Sequence, residues 1–156
     1  MENLYDIIGY ILLNISPNIA TKYRVTKMIY LADWCSCVSH NTQITNIHWV
    51  FDNYGPFVWD IYNTVEQNPD TFKISYGLTI GGNEKMLFSL VNPTQQFFLT
   101  NRTRKILDFI VNETKKLSTI EFTQLVYNTY PILTTPRYNK LDLIKKAQEF
   151  NKRGKQ

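Results

Sequence analysis

The sequence predicts an α+β domain, mainly helical, with about six helices and a small antiparallel sheet that includes a β-hairpin. Three observations lead there. Apolar residues repeat at three-and-four spacing near both ends of the chain, the signature of one-sided helices. Between those regions the period falls to two over residues 72–90, and Gly81-Gly82-Asn83 interrupts it where a tight turn would sit. The chain has 156 residues, of which 44% are hydrophobic and 19% charged, enough to build one ordinary core over residues 1–156.

In chain order, Leu4, Ile7, Ile8, Ile11 and Leu12 give a first helix that Pro17 must end. Val25, Met28, Ile29, Ala32 and Cys35 form the stripe of a second, with Lys22, Thr26, Lys27 and Asp33 on its polar sides. From Ile44 to Tyr54 the alternation of Ile47, Trp49 and Phe51 with His48, Val50 and Asp52 predicts a strand. Gly55-Pro56 then suits a helix start, because proline lacks the donor that a first turn leaves unused. Phe57, Val58, Ile61, Tyr62 and Val65 would line that third helix up to Asn68-Pro69.

The hairpin follows, with Phe72, Ile74, Tyr76, Leu78 and Ile80 on one arm and Met86, Phe88 and Leu90 on the other. Ile106, Phe109, Ile110 and Leu117 resume helical spacing. Ser118-Thr119-Ile120-Glu121 has the form of a capping box, ahead of a helix carrying Phe122, Leu125 and Val126 that Pro131 closes. After Thr134-Thr135-Pro136, Leu141, Ile144 and Ala147 stripe a last helix, and a basic C-terminal tail is expected from about residue 150.

Composition narrows the function. The net charge of +4 is concentrated in Arg102, Arg104 and Lys105 and in Lys140, Lys145, Lys146, Lys152, Arg153 and Lys155. These read either as a nucleic-acid patch or as a solvated helix face and tail, and the second is the better reading. Cys35 and Cys37 point to nearly opposite sides of a helix and cannot pair, which fits a reducing compartment. With only His40 and His48 nearby they make a poor zinc set. A Cys-His dyad has no spacing in its favour, and His48 reads better as a hydrogen-bonded strand residue than as a general base.

No phosphate loop, nucleophile elbow, zinc helix or paired-carboxylate motif is present, so neither an enzyme nor a cofactor is expected. Asp33 reads as a helix-surface acid or as a partner for Lys27 or a nearby backbone donor. Trp34 and Trp59 could stack bases but suit packing better. The acidic start Met-Glu-Asn-Leu-Tyr-Asp lacks a secretion signal, and Ile7 to Leu13 is too short to span a membrane; a cytoplasmic protein is expected.

Residues 49–65, WVFDNYGPFVWDIYNTV, hold six aromatic side chains around one Gly-Pro pair. Half or more of these rings are expected in the core. Tyr54, Trp59 and Tyr62 are candidates for a partner-binding surface, since rigid rings offer large contact area with few rotamers to freeze.

Together, Lys27-Met28-Ile29-Tyr30-Leu31-Ala32-Asp33 and Tyr54-Gly55-Pro56 resemble the two signatures of the SocA-like Panacea antitoxin family, also found on phage-associated proteins. Lys27, Tyr30, Ala32, Asp33, Tyr54, Gly55 and Pro56 are the residues that match, and their role is read as mainly structural. Tyr127 stands where the resemblance leads one to expect a histidine. The resemblance implies an α+β domain that binds a toxin or other target protein, neutralising it directly or delivering it to a protease. A phage-encoded inhibitor of a host defence protein is a rival within the same physics. A nucleic-acid module using Arg102, Arg104 and Lys105 is a rival outside it.

Overall fold

The computed structural model describes residues 1–154; Lys155, assigned above to the basic tail, lies outside them. The order is α1 (Leu4–Asn14), a 3-10 turn (Pro17–Ile19), α2 (Lys22–His40), β1 (Val50–Asp52), β2 (Gly55–Phe57), α3 (Asp60–Glu66), β3 (Phe72–Leu78), β4 (Glu84–Leu90), α4 (Asn101–Thr114), α5 (Thr119–Tyr127), α6 (Tyr130–Thr134) and α7 (Leu143–Arg153). The α+β class expected from the sequence is what forms, with two antiparallel two-stranded sheets, β1–β2 and β3–β4. The helix α7 runs through Arg153, so the expected tail is helical to that point.

The helix α2 lies at the centre. Its residues Val25, Met28, Ile29, Tyr30 and Ala32 are all fully buried, and α1, α4, α7 and both sheets pack against it. Thr21 caps it by accepting from the Arg24 amide, and Asn41, with φ of +58°, ends it. Arg24 is buried too. Its guanidinium donates to the carbonyls of Thr114, at the end of α4, and of Leu117, just beyond it, and it stacks 4.5 Å over the Phe122 ring.

The most densely bonded buried group is the Asp33 carboxylate, which is fully buried. Oδ1 accepts from the amides of Ile44 at 2.9 Å and Thr45 at 3.1 Å. Oδ2 accepts from the Thr45 hydroxyl at 2.5 Å, the Trp49 indole at 2.8 Å and the Gln43 amide at 3.2 Å. Of the three readings of Asp33, neither the helix-surface acid nor the partner of Lys27 forms, and the partner of nearby backbone donors does. This also explains why the strand expected from Ile44 shortens to Val50–Asp52: amides at the start of that run are committed to a carboxylate and not to a ladder.

At Gly55-Pro56 the structure differs from the sequence reading. These residues open β2, and the helix starts later, at Asp60. The register pairs Asp52 with Gly55 across a two-residue loop, Asn53-Tyr54, and Gly55 takes φ of +99°. Proline fits the strand because Phe51, its cross-strand partner, turns its amide and carbonyl the other way, to Asn139 and Tyr138. Of the expected third-helix stripe only Ile61 and Val65 are buried helical residues.

The second hairpin and the Ser118–Glu121 capping box form as expected. Pro131, expected to close a helix, instead sits in the first turn of α6, which brings the number of α-helices to seven.

Replacing Asp33 with Ala strands four donors, the Ile44 and Thr45 amides, the Thr45 hydroxyl and the Trp49 indole, and chemical denaturation should show a loss of at least about 3 kcal/mol. A loss below about 1 kcal/mol would remove Asp33 from this structural role. Gly55→Val should cost about 1–3 kcal/mol, since it combines a positive φ with a Tyr127 ring atom 3.3 Å from the new Cβ. Pro56→Ala should cost less than about 1 kcal/mol, and equal melting temperatures for the two variants would contradict this reading of the turn.

Candidate functional site

The two family-like segments meet on one side of the molecule. The first two turns of α2 bring Lys22, Tyr23 and Lys27 against the β1–β2 hairpin and the residues that lead into α3. Between them lies a cavity of about 310 Å³ with Asp52, Tyr54, Phe57 and Trp59 on its other wall. Tyr54 is 75% exposed and Trp59 58%, whereas Tyr62 is half-buried. The six rings of residues 49–65 thus divide: Trp49 and Phe51 are in the core, Phe57 and Tyr62 are half-buried, and Tyr54 and Trp59 face solvent. That places fewer in the core than expected, because the chain turns at Gly55 and carries the later rings outward.

Three of these rings, Phe57, Trp59 and Tyr62, are organised around a cation. The Lys22 ammonium lies 4.6 Å from the Trp59 ring centre, 5.2 Å from that of Phe57 and 5.3 Å from that of Tyr62. Trp59 meets Phe57 and Tyr62 edge-to-face. Trp59 and Tyr62 are thereby held in place.

Lys27 is 2% exposed, and among the described residues it makes neither a hydrogen bond nor an ion pair. Its ammonium faces the rings of Tyr23 at 4.3 Å and Phe57 at 5.9 Å. Burial lowers its pKa to about 8, the neighbouring Lys22 pushes the same way, and Asp52 opposes. The other matching residues pack: Tyr30 bonds the Thr129 hydroxyl at 2.8 Å and meets Trp49 edge-to-face, and Ala32 is fully buried. Tyr127 lays its ring against Gly55 and Phe51, so at that position this chain uses an aromatic as a cover for the turn.

Tyr54, Lys22 and Tyr23 also line a larger groove of about 890 Å³ that runs under the tip of the β3–β4 hairpin to α5. The hairpin base is buried at Phe72 and Phe88, but Tyr76, Leu78 and Ile80 are 61%, 70% and 110% exposed. Sequence reasoning missed these three because alternation marks a face without saying whether anything covers it. The uninterrupted apolar alternation up to the Gly81 turn was the available signal.

The remaining candidates sit elsewhere. Arg102, Arg104 and Lys105 are exposed on the first turns of α4, and Arg102 and Lys105 border a separate cavity with Cys35 and His40. Cys37 is buried, its thiol pushed up to about 12, and His48 is exposed on the far side of Trp49. Trp34 packs edge-to-face on Phe150. Among the described residues no three His, Cys, Asp or Glu side chains come together as a metal site, and no helix is long and apolar enough to cross a membrane.

Lys27 makes stability depend on pH. Its folded pKa lies below the unfolded value of 10.5, so below about 8 both states carry the charge and the fold bears the full desolvation penalty. That penalty is relieved as pH rises from about 8 toward 10.5. Lys27→Met should therefore be more stable than wild type at neutral pH, by on the order of 2–3 kcal/mol, and the gap should close across this window. A pH-independent gap would contradict the burial of a charged amine.

No curated protein and no solved structure matches the chain. The family described as "Antitoxin SocA-like, Panacea domain" matches residues 25–131, a span that contains the whole of the Lys27 segment, the Tyr54-Gly55-Pro56 turn and the protruding hairpin. With both signatures in contact across one cavity and the family match covering more than half of the chain, the protein belongs to the SocA-like Panacea antitoxin family.

Proposed function

We propose that this protein is a non-catalytic, cytoplasmic antitoxin that neutralises a toxin protein by forming a stoichiometric complex with it. The contact surface is the exposed face made by Tyr54, Trp59 and Tyr62 together with the tip of the β3–β4 hairpin. The observation that carries this reading is the meeting of both family signatures at a groove edged by exposed rings. Such surfaces suit protein partners: Trp59 and Tyr62 are held by Lys22 and by one another, so they lose little rotamer freedom on docking. The groove is long and open, which suits a segment of polypeptide. Masking the toxin and handing it to a protease both begin with this same complex.

The test is co-expression with the product of the adjacent gene, followed by pull-down and growth rescue. Aromatic anchors at interface centres are each worth about 2–4 kcal/mol when truncated, so Tyr54→Ala and Trp59→Ala should each weaken the complex by roughly 30- to 1,000-fold. Arg102→Ala should leave it unchanged. Undiminished rescue by folded Tyr54→Ala and Trp59→Ala would move the contact surface elsewhere. Binding of duplex DNA at physiological salt, lost in Arg102→Ala and without any protein complex, would replace the antitoxin reading with a nucleic-acid one.

A further inference from the structure

We infer that the cavity over Lys27 is a receptor for one acidic side chain of the partner protein, an Asp or Glu with an apolar residue beside it; this rests on the protein-binding reading above.

Four observations lead to that chemistry. First, Lys27 is 2% exposed and carries an ammonium that has lost most of its water, yet among the described residues it makes no hydrogen bond or ion pair, and ring faces and the field of Asp52 compensate for it only in part. A buried cation without an anion or hydrogen bonds is unfavourable, and an entering carboxylate supplies both. Second, Lys22 lies on the same wall of the cavity, and Asp52 is the one acid opposite, so two positive charges face a single negative one. An incoming carboxylate relieves the repulsion between the two lysines. Third, Tyr23, Tyr54, Phe57 and Trp59 make up most of the remaining wall, which Thr26 and Asn53 complete, a mainly aromatic lining suited to the aliphatic stem of an acidic residue and to an apolar neighbour.

Fourth, the volume of about 310 Å³ is at the lower limit of the range of about 300–1,000 Å³ typical of ligand pockets, which is room for side chains. The cavity also shares Lys22, Tyr23 and Tyr54 with the long groove beneath the hairpin, so a side chain can reach it from a polypeptide lying in that groove. This continuity favours a residue of a bound protein over a free small anion.

The pH behaviour follows from the groups around Lys27: Lys22 and Tyr23 on α2, Asp52 and Tyr54 from the first hairpin, and Tyr127 of α5 behind the turn. Burial lowers the pKa of both lysines, and brings that of Lys27 to about 8. A bound carboxylate favours its protonated form, so carboxylate affinity should fall as pH rises beyond that point.

The experiment uses the full-length protein carrying lysine labelled with carbon-13 at Cε, with the Lys27 resonance and the Trp59 indole signal as readouts. The probe is the capped tripeptide acetyl-Leu-Glu-Leu-amide, and its Gln counterpart, sodium acetate and inorganic phosphate are the comparison arms. The Glu peptide should move both signals, bind at least about tenfold more tightly than the Gln peptide, and raise the Lys27 titration midpoint. Its affinity should fall from pH 7 to pH 9.5, vanish in Lys27→Met and weaken severalfold in Lys22→Met; if Lys27→Met does not fold, Lys22→Met carries the comparison.

Equal binding of the Gln peptide, or no response at Lys27, overturns the inference. Tighter binding of acetate or phosphate than of the Glu peptide makes the cavity a free-anion site and overturns it as well. The two proposals fail separately. Loss of peptide binding with intact toxin rescue removes only the cavity assignment, and intact peptide binding without any toxin complex removes only the antitoxin reading.

Discussion

The fold depends on the desolvated carboxylate of Asp33. Burial pushes this group above the ordinary carboxyl range, and donors from Thr45, Trp49 and Ile44 pull the other way. The bonds fix the path of residues 43–49 where they leave α2, and that path sets where everything after it begins. Trp49 is held against Tyr30, Phe51 is directed into the core, and the chain reaches Asp52 positioned for a two-residue turn. This anchor fixes the exposed rings relative to α2 from one side, as the contacts of Lys22 with Phe57, Trp59 and Tyr62 do from the other. The Asp of the first signature and the Tyr-Gly-Pro of the second are thus linked physically, through the segment between them.

The same helix carries a second buried charge that is treated in the opposite manner. Asp33 accepts from backbone, hydroxyl, amide and indole donors, whereas Lys27, less than two turns away, makes no hydrogen bond among the described residues and has ring faces and the field of Asp52. A charge whose bonding is complete rigidifies a fold, while one whose bonding is incomplete reduces stability and leaves a place for a partner to fill. That contrast divides the matching residues. Asp33, Tyr30, Ala32, Gly55 and Pro56 build the structure, and Lys27 and Tyr54 face outward from it into the cavity.

Much of this was legible in the sequence, for local reasons. Period-two alternation around a glycine turn and the Ser118–Glu121 box depend on near neighbours, and both formed as read. Where long-range contacts decide, the sequence was silent. Nothing near Ile44 shows that its amide belongs to Asp33. Nothing near Pro56 shows that Phe51 directs its polar groups toward residues 138 and 139, which is what admits a proline to the strand. Exposure was the hardest property to read: Tyr76, Leu78 and Ile80 have the spacing of core residues, and only the protrusion of the hairpin leaves them uncovered. Tyr54 and Trp59 were legible as candidates because an aromatic excess at a turn exceeds what a core of this size needs, but Lys27 was read only as a structural match.

The central claim is that one face, built from the β1–β2 turn, the start of α3 and the tip of the β3–β4 hairpin, receives a protein. Hydrogen–deuterium exchange of the free protein and of its purified complex tests this most directly. The account predicts that slowed exchange on complex formation is concentrated in residues 52–62 and 76–85, with residues 100–106 of α4 unchanged. Protection centred on α4 and α7, with the two hairpins unaffected, would contradict it.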